Sequence, residues 1–182
     1  MRVITGCARG VRLDTLPGAA TRPTAERVKE AMFSAIQFEV PGRRVLDLFA
    51  GSGQLGIEAL SRGATHADFV DSSREAAAVI AGNLRRCGLA DRASVSCRDW
   101  QSHLAGAAKP YDLVLLDPPY GKGLCEAAIQ TLSERGLLSE NAIVVCETGD
   151  KERLPERIDG LAATRAARYG TIRLTTYRGG QP

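Results

Sequence analysis

The apolar positions of the chain change period near residue 44, dividing the sequence into an extension and a core. Upstream, residues 2–5 and 11–15 are short, partly alternating runs on either side of Gly6-Cys7-Ala8-Arg9-Gly10, a pattern that predicts a β-hairpin. Beyond Pro17 and Gly18, Val28, Ala31, Met32, Ala35 and Ile36 recur at spacings of three and four, predicting an amphipathic helix that Thr24 is placed to cap and that Pro41 and Gly42 end. From Arg44 onward, short apolar runs alternate with helical ones. Strands are predicted at 45–50, 67–71, 93–97, 111–117 and 142–147, and helices at 54–61, 73–86 and 122–135. Strands that alternate with crossover helices build a doubly wound parallel sheet. The tail is β-rich, with residues 161–168 and 171–177 flanking Tyr169-Gly170, and predicts a hairpin that closes the sheet with an antiparallel edge. The expected fold is therefore α/β: a doubly wound, mostly parallel, Rossmann-like sheet with an antiparallel C-terminal hairpin and an N-terminal β-hairpin plus helix extension. A length of 182 residues suits one domain, with residues 1–40 as the extension and 41–182 as the catalytic core.

The turn after the first predicted strand reads Gly51-Ser52-Gly53-Gln54-Leu55-Gly56 and opens a helix, and Asp71 ends the next strand 20 residues after Gly51. Glycines let a backbone approach a ligand and a carboxylate accepts from ribose hydroxyls, so a nucleoside cofactor is expected. The plain alternative is a glycine turn needed only for strand-to-helix packing. A dinucleotide-dependent oxidoreductase shares this turn, but Asp47 lies four residues before Gly51. Negative charge there repels a pyrophosphate and attracts an ammonium, which favours a cofactor carrying an amino-acid moiety.

Asp117-Pro118-Pro119-Tyr120 stands at the end of the fourth predicted strand. Two prolines fix the backbone so that the Asp117 side chain and the Pro118 carbonyl both face the crevice at the strand ends, where open α/β sheets bind ligands. Two acceptors match the two N–H donors of a planar amino group, with Tyr120 available to stack on the attached ring. These residues point to methyl transfer to an exocyclic amino group. Adenine N6, cytosine N4 and guanine N2 all fit, in RNA or in DNA. A nucleic-acid-binding module without catalysis is a third class, but it leaves both motifs unexplained.

With these motifs the sequence resembles amino-methyltransferases carrying an (Asn/Asp/Ser)-Pro-Pro-(Tyr/Phe) motif, and more narrowly the bacterial 16S ribosomal RNA (guanine-N2)-methyltransferases. The similarity runs through Thr21-Arg22-Pro23-Thr24, Arg27-Val28-Lys29-Glu30-Ala31-Met32-Phe33, residues 46–53, Leu60-Ser61-Arg62-Gly63-Ala64, Asp117 to Tyr120, Glu134-Arg135-Gly136-Leu137-Leu138 and Arg168-Tyr169-Gly170. Asp71 departs from the more usual glutamate, and Arg98-Asp99-Trp100 stands where relatives often have Asp-Ala. The resemblance implies S-adenosyl-L-methionine as cofactor and a guanine N2 in 16S rRNA as target, within a 30S subunit or assembly intermediate. It implies that Asp47 and Gly51, with Gly53 and Gly56 of the same turn, line the methionine end. Asp71 would hold the ribose and Asp99 the adenine amino group. Phe49, Trp100 and Thr24 would complete the cofactor pocket. Packing in the core, for Phe49 and Trp100, and helix capping, for Asp99 and Thr24, are the plain alternatives. Asp117, Pro118, Pro119 and Tyr120 would form the catalytic site.

Charge adds a second expectation. Residues 1–44 carry eight Lys and Arg against four Asp and Glu, residues 45–150 nine against fourteen, and residues 151–182 seven against three. Basic ends around an acidic middle fit a core whose flanks meet a polyanion, as well as they fit ordinary solvated surface. Arg2, Arg9, Arg12, Arg22 and Lys122 are the candidate RNA contacts. Five cysteines without CxxC spacing and two histidines predict neither disulfides nor a metal site, and Cys97 and Cys146 read as buried strand positions. Without a signal peptide or a long apolar run, a cytoplasmic monomer is expected.

Overall fold

The computed structural model describes residues 1–17 and 23–179, with the side chains of 23–25 left aside. Eight strands form one sheet in the order β3-β2-β1-β4-β5-β8-β7-β6. The parallel part comprises β1 (Arg44–Asp47), β2 (His66–Asp71), β3 (Ala93–Cys97), β4 (Tyr111–Leu116) and β5 (Leu138–Gly149). The helices α2 (Gln54–Ser61), α3 (Arg74–Cys87), α4 (Trp100–Gly106) and α5 (Leu124–Glu134) connect these strands. Strand order reverses between β1 and β4, which opens a crevice at their C-terminal ends.

Side chains alternate along each strand, so successive residues feed two cores. Val45, Phe69, Leu115 and Val145 pack with Val28, Met32 and Phe33 of α1 (Pro23–Ile36), and with Leu55 and Ile80 of α2 and α3. Leu46, Val70, Leu116 and Cys146 pack on the other face with Leu104 of α4 and with Ile129 and Leu132 of α5. No described helix is long and apolar enough to cross a membrane.

The tail forms the expected antiparallel hairpin that closes the sheet, with one short strand added at its edge. β8 (Ile172–Arg178) pairs antiparallel with β5 and separates it from β7 (Leu161–Tyr169), which in turn pairs with the two-residue β6 (Arg157–Ile158). The N-terminal hairpin keeps one antiparallel bridge, between Arg2 and Arg12, with Val3 N donating to the Val11 carbonyl, Gly10 N to the Val3 carbonyl and Leu13 N to the Met1 carbonyl, while amides nearer its turn bond to α2. Ile4 and Thr5 donate to the Glu58 carboxylate at 2.8 and 3.0 Å, and Ala8 donates to Ser61 Oγ at 3.0 Å. The first helix starts at Pro23, so Thr24 is its second residue rather than its cap; proline suits a first position, where its missing N–H is not needed. Cys97 is exposed, because β3 is an edge strand, whereas Cys146 is buried as expected.

Glu58 is fully buried and holds Lys29 at 3.6 Å and Arg62 at 2.8 Å. Lys29 also donates to the Arg2 carbonyl at 2.8 Å, so one ion cluster fastens the extension to α2. Removing one partner of a buried pair strands the other charge at about 3–5 kcal/mol. Glu58→Ala is accordingly expected to lower unfolding stability by about that amount in urea titration. A loss below about 1 kcal/mol, the range of a surface pair, would contradict this assignment.

Candidate active site

β1 runs out at Asp47, and Leu48 and Ala50 carry the backbone on by bonding to Leu115 and Val70 of the flanking strands. The turn that follows needs left-handed backbone at Gly53, φ 78°, which caps α2 through conformation alone. Gly56 is required for a different reason. A Cβ there would lie 2.3 Å from the Phe69 ring, so α2 sits on β2 only because this side chain is hydrogen. Gly53 and Gly56, read from the motif as cofactor contacts, therefore act behind the site, while Gly51 lines it.

The Gly56 amide donates to Asp47 Oδ2 at 2.8 Å. Asp47 is 1% exposed, and its Oδ1 has no hydrogen-bond partner. Burial outweighs the single amide and, with the Asp71 charge adding to it, pushes the Asp47 carboxyl up to about 7. Gln54 Oε1 is a second buried acceptor without a partner. Both line a pocket of about 190 Å³ with Leu16, Ser52 and Asp117. That pocket joins a crevice of about 510 Å³ through the shared residues Phe49, Gly51 and Asp117.

Phe49, Asp71, Asp99 and Trp100 line the larger crevice, together with the whole of Asp117-Pro118-Pro119-Tyr120. Asp71 accepts from Gly51 N and Ser73 N, both at 2.9 Å, so one oxygen holds the glycine turn while the other supports the entry to α3. Each oxygen keeps a second lone pair. Asp99 caps α4 by accepting from Ser102 N at 2.8 Å, and this bond holds its carboxyl below the usual range. The rings of Phe49 and Trp100 meet at 6.4 Å, tilted by 55°, at the crevice wall. Packing and lining thus coincide in these two aromatics, as capping and lining do in Asp99.

Asp117 is pushed well above the usual carboxylate range, first by burial and then by the charges of Glu147 and Asp47. Tyr120 donates to Glu147 Oε1 at 2.5 Å and lies against Gly149, where a Cβ would stand 3.5 Å from the ring. Half of the Tyr120 surface stays open, at 44% exposure. Burial also raises Glu147, and the Tyr120 hydroxyl opposes that rise. Sequence reasoning missed Glu147, Gln54 and Arg98. Glu147 ends the predicted strand 142–147, two residues short of the end of β5, as Asp117 follows β4, and Gln54 is the first residue of α2, so a strand-end rule and a helix-start rule would have found both.

Arg2, Arg9 and Arg12 are exposed on the extension and Lys122 is exposed in the loop after Tyr120, none of them lining the crevice. The extension is anchored at Glu58 and Ser61, up to eight residues along α2 from Gly53, which puts its tip roughly 12 Å down the helix from the glycine turn. Arg22 lies outside the described residues, as does the side chain of Thr24.

A crevice at the switch point of a doubly wound sheet, walled by the Asp71 carboxylate at the end of β2 and by Asp117-Pro118-Pro119-Tyr120, defines the class as a Rossmann-like methyltransferase. Comparison with known proteins agrees. The chain belongs to the family described as Conserved hypothetical protein 95, which matches residues 1–178. It is 39% identical over 98% of its own length and 98% of the other's to a Bacillus subtilis protein named putative rRNA methyltransferase YlbH. It is 35% identical, over 85% of this chain and 78% of that one, to ribosomal RNA small subunit methyltransferase D of Escherichia coli. The solved structure of the putative methyltransferase yhhF from Escherichia coli superposes with a TM-score of 0.86 at 31% identity, covering 100% of this chain and 99% of that one.

The raised Asp47 carboxyl sets a pH dependence. Between its ordinary 3.8 and about 7, the folded chain retains a proton that the unfolded chain has released, so the Asp47 contribution to stability falls as pH rises through that window. Asp47→Asn removes this dependence. The urea midpoint of the variant relative to the parent protein is expected to climb from pH 4 to pH 7; parallel profiles would show that Asp47 titrates normally.

Proposed function

We propose that this protein transfers a methyl group from S-adenosyl-L-methionine to the exocyclic N2 amino group of a guanine in small-subunit ribosomal RNA. The observation that carries the chemistry is the Asp117-Pro118-Pro119-Tyr120 wall beside a pocket holding two unpaired buried acceptors. The names of its relatives supply the RNA class. The substrate is 16S rRNA within a 30S subunit or assembly intermediate, met in the cytoplasm by a monomer. Its residues 1–40 extend a single catalytic domain formed with residues 41–182.

The donor set fits the cofactor. Asp47 Oδ1 and Gln54 Oε1 suit the ammonium of its methionine end, which gives both orphaned acceptors a partner. Asp71 has lone pairs left for ribose hydroxyls, Asp99 for the adenine amino group, and Phe49 and Trp100 form an apolar wall for the adenine. When bound, the cofactor supplies an electrophilic methyl on a sulfonium. The protein contributes the acceptor's position and electrostatics. The amino nitrogen of guanine is a weak nucleophile because its lone pair is delocalised into the ring. Asp117 and the Pro118 carbonyl hold its two N–H groups, favour pyramidal geometry and stabilise the positive charge that develops on it. Burial gives the Asp117 carboxylate the proton affinity to take up the proton that the nitrogen sheds. Tyr120, fixed by Glu147, offers its open ring face to a base that is unstacked or looped out.

Incubation with labelled S-adenosylmethionine and, in parallel, free 16S rRNA, 30S particles and DNA tests the reading. Label recovered as N2-methylguanosine from rRNA is expected, and label in DNA alone or on another base would overturn it. The two catalytic side chains separate further. Asp117→Ala is expected to slow single-turnover transfer by an amount on the scale of an oxyanion-donor deletion, about 3–4 kcal/mol, with a smaller change in substrate affinity. Tyr120→Ala removes a stacking surface worth about 1–3 kcal/mol per base and is expected to weaken substrate capture, whereas Tyr120→Phe keeps the ring and most activity. Wild-type rates in Asp117→Ala, or equal damage in the two Tyr120 variants, would refute the amino-group clamp.

A further inference from the structure

A second groove, of about 410 Å³, lies on the α4 face of the sheet beside the edge strand β3. It gathers Arg44, His66, Arg98, His103 and Lys109 around a single carboxylate, Asp68. The chain has two histidines, and both are here. Asp68 is already committed: it accepts from Tyr111 at 2.9 Å and contacts His66 at 3.1 Å, and the Arg44 guanidinium pairs with it while lying 5.1 Å over the Tyr111 ring. Arg98 and Lys109 make no salt bridge among the described residues, so their charges are uncompensated. Arg44 Nε is buried and has no acceptor. The lining therefore presents net positive charge.

The shape suits a chain rather than a compact ligand. Arg44, His66 and Tyr111 stand at the starts of β1, β2 and β4, while Arg98 follows the far end of β3. The five residues of β3 give the groove a run of roughly 16 Å along the strand. Ser94, Ser96 and the small residues from Gly106 to Ala108 leave its floor low. Arg98 lines both this groove and the crevice, so it stands at the border between them.

We propose that this groove is a track for the phosphodiester backbone of the RNA strand whose base enters the crevice, with Arg98 at the junction. The proposal rests on the RNA-substrate reading above. The cations neutralise phosphates without reading sequence, and they hold the strand in register with Asp117.

The histidines make the groove directly observable, because the only imidazole ring signals in the NMR spectrum of this sequence come from its walls. A single-stranded small-subunit rRNA fragment is expected to shift the ring signals of both, while S-adenosylmethionine alone leaves His66 in place. Arg98→Gln and Lys109→Gln should each flatten the salt dependence of RNA binding by about 0.7 log units per lost contact, and Lys109→Gln should leave cofactor affinity unchanged. RNA that binds with both histidine signals unmoved and with the salt slope of the double variant unchanged overturns the track alone. Inorganic phosphate that moves the signals where bound RNA does not also overturns it, in favour of a site for free phosphate. A wild-type protein that binds S-adenosylmethionine but no rRNA overturns the substrate reading, and the track with it.

Discussion

Desolvation of Asp47 is the constraint around which the site is arranged. One helix amide supports this carboxylate, one of its oxygens is unmatched, and no cation stands against it among the described residues. Asp117 and Glu147 share the same poorly solvated region: burial raises the proton affinity of both, and the Glu147 charge raises that of Asp117 further. Three acids crowded at the ends of β1, β4 and β5 make a crevice that suits cations and N–H donors and repels phosphate. The same glycine turn in front of a pyrophosphate would need the opposite electrostatics, and this separates the methyltransferase reading from the oxidoreductase one in physical terms.

Periodicity revealed the core elements because each buries one consistent face. α2 and β3 fall at the residues their patterns predicted, Gln54–Ser61 and Ala93–Cys97. β5 extends to Leu138 although Ser139, Glu140 and Asn141 break its apolar run, since pairing with Tyr111 at the start of β4 carries the backbone through polar positions. β6 has two residues and no detectable period. The insertion of β8 beside β5 was not legible either, because a hairpin pattern does not say which of its strands pairs with the sheet. At the site, residues whose side chains line the crevice were visible as motifs. The bonds that hold them were not: Glu147 behind Tyr120 is a partner 27 residues away, and the bond from the Gly56 amide to Asp47, though local, is made by backbone that the motif does not specify.

The extension shows how a segment with little regular structure acquires a fixed place. Backbone groups of it bond to side chains of α2 and α3, and the side chains of Arg2, Arg9 and Arg12 stay exposed. Asn83, fully buried, accepts from Asp14 N at 2.8 Å and donates both to the Asp14 carbonyl and to the Ser52 carbonyl, each at 3.0 Å. A single amide thus joins the extension to the glycine turn, so the geometry of the pocket lined by Asp47 and Gln54 and the seating of the basic arm are not independent. Leu16, in that pocket wall, lies two residues past the junction.

The position of β8 has a consequence for the order in which the chain is made. Its seven residues follow β5, β6 and β7 in the chain, yet they cover the side of β5 that carries Ile143 to Cys146. Until they are synthesised, β5 presents a long, unpaired, apolar edge of the kind on which other chains stack. A growing chain that has passed β5 but not yet β8 is therefore open to aggregation, and the pairing of β8 is the event that seals this edge of β5.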